Sequence, residues 1–236
     1  FDVAPSYGNA EEMLGPALEP YREQVFLACT TTERFAEKAA AELESSLRRL
    51  RTDHVDLYQL HSVTTMDDVE RITGPGGALE TFVRAREQGK TRYLGFSAHS
   101  EEAALELMER FDFDSILFPI NWTAWYAGDF GPRAVARAQE KGMGILALKA
   151  LAKRALAEGE PRKWQKSWYY PVDTYEEARL AMRFTLSRPV TAAVTPGHPE
   201  LFEWACDAAE EFEPLTAEEE RELKERAREL QPVFPR

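Results

Sequence analysis

Short apolar runs alternate with longer amphipathic stretches along most of this chain. Val25 to Cys29 (VFLAC) precedes a helical pattern from Glu33 to Leu50, in which Leu43, Leu47 and Leu50 share one face. Val55 to Leu60 precedes Ala78 to Gln88. Arg92 to Ser97 precedes Glu101 to Phe111, with Ser100 placed as an N-cap. Ser115 to Ile120 precedes Pro132 to Lys141, Gly144 to Leu148 precedes Glu176 to Ser187, and Thr191 to Val194 precedes Leu201 to Phe212. Thr216 to Leu230 reads as a charged terminal helix, and Thr216 and Glu219 have the spacing of a capping box. Strand and helix alternating in this way predict a parallel sheet. Phe1-Asp2 reads as the end of one further strand.

No strand is followed by a Gly-rich phosphate loop, which argues against a doubly wound nucleotide fold. Polar residues collect instead after many different strands: Asp2, Thr30, His61, Ser97, Asn121, Lys149 and Gly197. That distribution predicts the C-terminal face of a (β/α)8 TIM barrel. The longest connections are Ser62 to Gly76, Trp122 to Gly131 and Ala150 to Tyr175. The last is rich in Trp, Tyr and Lys, and reads as a lid or a pocket wall.

Composition narrows the partners. With 236 residues and 44% hydrophobic content, one large domain over 1–236 is expected. A net charge of -12 argues against a nucleic-acid surface. No long uncharged apolar run offers a membrane span. Two cysteines, Cys29 and Cys206, are too few for a disulfide framework, so a reducing cytoplasm is expected. Both read as packed rather than reactive. The four histidines show no paired metal-ligand spacing. The run Glu218-Glu219-Glu220 reads as a solvated helix face.

The chemistry concentrates in DVAPSYGNAE, which sets Asp2 and Tyr7 five residues apart on a loop ahead of a helical pattern, and in VDLYQLH, an apolar strand ending in His61. Together they indicate a proton-transfer site built from strand ends. These segments and others (DVAPSYGNAEEMLG, LRRLRTDHVDLYQLH, GKTRYLGFSAHS, NWTAWY, KGMGILALKAL and VTAAVTPG) resemble the aldo-keto reductase family. The resemblance spreads over nearly the whole chain and rests on the order and spacing of the segments. It implies a (β/α)8 barrel that reduces aldehydes or ketones to alcohols with NADPH or NADH. It also implies that Asp2, Tyr7 and His61 belong to the catalytic group, with Tyr7 as proton donor and His61 beside the carbonyl. Ser97 and Asn121 would hold the nicotinamide, Lys149 and Lys153 the pyrophosphate, and Gly197 and His198 the adenosine side. NADP is the expected cofactor, with NAD open.

One member of the group departs from the pattern. Where the family usually places a lysine, this chain has Thr30, and no lysine lies within five residues of it. A cation beside a tyrosine stabilises tyrosinate and pulls its pKa down from about 10. Without one, Tyr7 is left with the Asp2 charge, which raises its pKa. Two readings therefore stand open: a reductase in which Tyr7 acts as a neutral acid, and a non-catalytic relative that binds nucleotide or a protein partner. Leu117 and Leu148 also replace a glutamine and an aromatic that often meet the nicotinamide in the family. Phe1-Asp2 corresponds to the end of the family's second barrel strand. The resemblance thus implies a first strand, a first helix and most of the second strand upstream of this chain.

Overall fold

The computed structural model describes residues 1–235 and divides into two units, Phe1–Ile116 with Lys141–Met143 and Leu117–Glu140 with Gly144–Arg236. In the first, β1 (Asp2–Val3), β2 (Ala28–Thr31), β3 (Val55–Val63) and β4 (Thr91–Ala98) lie side by side in chain order, every pair parallel. Between the strands run α1 (Ala10–Leu18), α2 (Ala36–Leu50), α3 (Met66–Thr73) and α4 (Ala78–Glu87), and α5 (Glu101–Arg110) follows β4. Leu57, Tyr58 and Leu60 of β3 are all buried, as expected of a parallel strand covered on both faces. The Tyr58 ring lies 4.5 Å from that of Phe82 in α4, and Ile72, Leu94, Phe96 and Leu107 fill out the same core.

Two element starts fall three residues later than the sequence-based expectation, each through contacts with residues outside the segment. The strand expected at Val25 to Cys29 begins only at Ala28. Val25 instead ends a 3-10 turn (Glu19–Gln24), its N–H donating to the Arg22 carbonyl, and the Leu27 N–H donates to the Asp56 carboxylate. The helix expected from Glu33 starts at Ala36. The Thr31 hydroxyl and Thr32 N–H both donate to Glu42, and Phe35 bridges to Gly77, so this segment stays extended. Within the expected connection Ser62 to Gly76 lies α3, capped by the Thr65 hydroxyl and buried through Val69 and Ile72. Ser100 caps α5 as expected.

The boundary between the units falls inside β5 (Ser115–Pro119). The second unit continues with α6 (Trp122–Tyr126), α7 (Pro132–Glu140), β6 (Gly144–Leu148), the antiparallel pair β7 (Ala152–Arg154) and β8 (Tyr170–Pro171), α8 (Tyr175–Leu186), β9 (Ala192–Val194), α9 (Pro199–Glu210) and α10 (Ala217–Ala227). β9 pairs with β6 in parallel. Rings of Phe118, Phe130 and Phe234 stack in sequence, and Trp125 and Tyr126 meet Phe184 edge-on. The segment read as a lid is anchored by buried Trp164 and Tyr169, while Trp168 is exposed.

The expected capping box of Thr216 and Glu219 is present. The acidic run around it is not simply solvated. Glu219 accepts from the buried Arg183, which with its neighbour Thr216 holds the carboxyl down to about 2. Glu220 accepts from Tyr126 and Arg188. Cys206 is only partly buried, whereas Cys29 is fully buried and its thiol is pushed up by desolvation and by Glu11. Among the described residues no helix is long and apolar enough to cross a membrane.

Candidate active site

Three neighbouring parallel strands place the polar residues of the first unit. Asp2 pairs in register with Ala28, and Thr30 pairs with Gln59. Side chains two apart on a strand share a face, so Gln59 and His61 point the same way until the ladder breaks. It breaks just there: the β3–β4 register shifts between Leu60 and Val63, and Ser62 adopts a left-handed φ of 48°. Arg34 grips the distorted backbone, its Nη2 donating to the carbonyls of His61 (2.8 Å) and Ser62 (3.3 Å) while its Nε reaches Asp68. Ser97 sits on β4 between Phe96 and Ala98, whose partners Leu60 and Val63 flank the bulge.

These elements bring Asp2, Tyr7 and His61 into one cluster. The Tyr7 ring meets the His61 ring edge-on, 5.7 Å between centroids at 73°. Thr30 Oγ1 lies 2.9 Å from His61 Nδ1. Gln59 Nε2 donates to Asp2 Oδ1 at 3.0 Å, and Gln59 Oε1 is buried with no hydrogen-bond partner among the described residues. The Asp2 partner is thus a neutral amide rather than a cation. Burial pushes the Asp2 carboxyl up to about 6, against the pull of the amino group at Phe1 and of Gln59. Desolvation, and then the Asp2 charge, push the Tyr7 phenol up to about 12, although half of that side chain remains exposed. Tyr7 is therefore a neutral hydroxyl at any ordinary pH, able to give a proton and poorly able to take one.

Gln59 and Arg34 were not among the residues singled out from the sequence. The signal for Gln59 was present: an amide in an otherwise apolar strand, two residues before His61 and so on its face. For Arg34 no signal existed, because its role depends on a bulge that periodicity does not reveal.

The other expected residues lie in the second unit. The Asn121 side chain caps α6, its Oδ1 accepting from the Ala124 N–H, and its Nδ2 is buried without a partner among the described residues. Lys149 ends β6 with a left-handed φ of 61° and sets its ammonium over the Trp168 and Phe234 rings, 5.4 and 5.6 Å from their centroids. Desolvation pulls its pKa down to about 8, and no carboxylate among the described residues forms an ion pair with it. Lys153, expected beside Lys149 as a phosphate contact, is committed elsewhere, to Glu177 at 2.7 Å and Asp173 at 3.8 Å. Gly197 leaves open space where a side chain would stand, just before α9, whose first turn carries Pro199 and no side-chain cap. His198 is also engaged: its Nε2 accepts from the Lys166 N–H at 3.1 Å and its ring meets Trp164 edge-on.

Comparison with known proteins places the chain in a family. The family model described as "Aldo/keto reductase family" matches residues 1–227, and the chain belongs to that family. It is 36% identical over 115 residues to the aldo-keto reductase YhdN of Bacillus subtilis, covering 43% of this chain and 33% of that protein. It is 39% identical over 100 residues to the methylglyoxal reductase YeaE of Escherichia coli, covering 41% and 33%. With L-galactose dehydrogenase of Arabidopsis thaliana it shares 24% over 178 residues, or 70% and 54%. The matched region thus spans between about a third and a half of these relatives. Among solved structures, aldo-keto reductase AKR11C1 of Bacillus halodurans in its holo form superposes with a TM-score of 0.71 at 25% identity, covering 99% of this chain and 83% of that one. An aldo-keto reductase of Klebsiella pneumoniae in complex with NADPH gives 0.71 at 22% identity, covering 98% and 80%. The fold is that of the aldo-keto reductase (β/α)8 barrels.

Proposed function

We propose that this chain is the catalytic part of an NADPH-dependent oxidoreductase that reduces an aldehyde or a ketone to an alcohol. The observation that carries the reading is the Tyr7–His61 contact at 5.7 Å, with Tyr7 in the turn after β1, His61 on β3, and Asp2 on β1 close by. Tyr7 gives its proton to the carbonyl oxygen, and His61 donates a hydrogen bond to that same oxygen. Positioned proton donors of this kind contribute roughly 10²–10⁴-fold. Asp2 and the burial around it keep Tyr7 neutral, which suits the reductive direction.

The residues fit a nicotinamide dinucleotide. The unpartnered Asn121 amide is a buried donor suited to a carboxamide oxygen. Lys149, which pairs with no carboxylate among the described residues, and the uncapped N-terminus of α9 after Gly197 both suit phosphate. When bound, the cofactor supplies the hydride. His198 accepts from the Lys166 N–H and packs edge-on against Trp164, and NAD remains the alternative cofactor.

The second reading, a non-catalytic nucleotide- or partner-binding relative, is favoured by Thr30 in place of lysine. One experiment separates the two: fluorescence titration of the chain with NADPH, followed by NADPH oxidation in the presence of methylglyoxal. Turnover that is lost in Tyr7→Phe supports the reductase. Cofactor binding with no turnover across a panel of aldehydes and ketones supports the binding protein.

A further inference from the structure

We propose that Thr30, which stands where the family usually has a lysine, is the positioning residue that fixes His61 in its Nε2–H form. The inference rests on the reductase reading for its catalytic meaning, but its structural content stands apart from it. Thr30 and Gln59 are paired on adjacent strands, and His61 lies two residues beyond Gln59, so the Thr30 hydroxyl comes to the ring edge at 2.9 Å from Nδ1. Thr30 is buried, and among the described residues its hydroxyl has no other hydrogen-bond partner.

The direction of the bond follows from what each choice leaves unsatisfied. Were Nδ1–H the donor, the Thr30 O–H would be a buried donor with nowhere to point, which is the costly kind of orphan. With the Thr30 O–H donating to the Nδ1 lone pair, only spare acceptor capacity on the hydroxyl oxygen goes unused. The ring proton then resides on Nε2, the nitrogen remote from Thr30. The backbone of His61 is held separately, by Arg34 at its carbonyl. Removing the Thr30 hydroxyl therefore frees the tautomer without releasing the residue.

The test is a ring nitrogen–proton correlation spectrum of the whole chain, without cofactor, at a pH where the imidazole is neutral. The His61 signal is identified by its loss in His61→Gln. Wild type and Thr30→Ser are expected to show the proton on Nε2, with Nδ1 unprotonated. Thr30→Val is expected to show shifts averaged between the two tautomers. A proton on Nδ1 in the wild type would overturn the proposal whether or not the valine variant folds, and so would a valine spectrum identical to wild type. In NADPH-dependent reduction, Thr30→Val is expected to lower kcat about tenfold, the scale of one hydrogen bond, and Thr30→Ser to restore it. If wild type turns over no carbonyl compound while the spectra behave as expected, the reductase reading fails and the positioning role of Thr30 stands.

Discussion

Replacing Thr30 by lysine tests the electrostatic logic of the site most directly. In the present pocket Tyr7 sits near a carboxylate whose side-chain partner is the neutral amide of Gln59, and its phenol is pushed up to about 12. At pH 9 only about one molecule in 10³ would then carry tyrosinate, the form that must accept a proton when an alcohol is oxidised. A lysine ammonium placed ~5 Å from the phenol oxygen, at an effective dielectric of ~20, would contribute about 3 kcal/mol, or about two pKa units in favour of tyrosinate. It would also pair with Asp2 and remove the repulsion that now raises Tyr7. Against this stands the desolvation of a lysine at a position where Thr30 is almost fully buried. The net expectation is an oxidative pH profile displaced toward neutrality by one to two units, with alcohol oxidation at pH 9 raised between about 10- and 100-fold. For reduction, the better-matched proton donor is set against the loss of the Thr30 hydroxyl from His61, so the oxidative profile is the readout. The assay is alcohol oxidation with NADP⁺ from pH 7 to 11, for wild type and Thr30→Lys, each checked for a cooperative melt. A well-folded variant whose oxidative profile coincides with wild type would show that the charge at position 30 does not reach Tyr7, and the account of the site would be wrong.

Three further outcomes are expected. Asp2→Asn keeps an acceptor for Gln59 but removes a carboxylate whose pKa is raised from 3.8 to about 6; that raised group contributes its stability below pH 4 and loses it as pH rises through 6, so the variant should gain up to about 3 kcal/mol at pH 8 and nothing at pH 3.5, read by urea melts at both. The same variant should displace the oxidative pH profile toward neutrality, because the Asp2 charge no longer raises Tyr7. Arg183→Ala should destabilise the chain by about 1–3 kcal/mol, because it removes a buried side chain and its hydrogen bonds to Glu219 and to the carbonyls of Glu213 and Pro214, and a thermal melt shifted by less than about 2 °C would contradict this. Asn121→Ala should cost about 1 kcal/mol through the lost cap of α6 and should weaken NADPH binding in fluorescence titration, whereas unchanged affinity would remove Asn121 from the cofactor site.

The parts of the molecule that the sequence made legible are those whose cause is local. Period and spacing located β3, β4, β6, α5 and α8 to within a residue or three, because burial of one face writes itself into the pattern of apolar positions. Caps at Ser100 and Thr216 were legible for the same reason, since both partners lie within one turn. What escaped was decided at a distance. Leu27 sends its N–H to the carboxylate of Asp56, 29 residues away, and Glu33 stays out of α2 because Glu42 draws in Thr31 and Thr32. The acidic run of α10 looked solvated until Arg183, 36 residues upstream, was placed against Glu219. The site divides along the same line. Motif order was enough to mark Asp2, Tyr7 and His61, and the structure brings these three together. The absence of a lysine near Thr30 was equally visible, but not what stands in for it. An amide holds Asp2 and a hydroxyl meets His61, and both depend on the register of three strands that are far apart in sequence. A missing charge can thus be read from a sequence, whereas the neutral groups that take over its contacts emerge only when the strands are laid side by side.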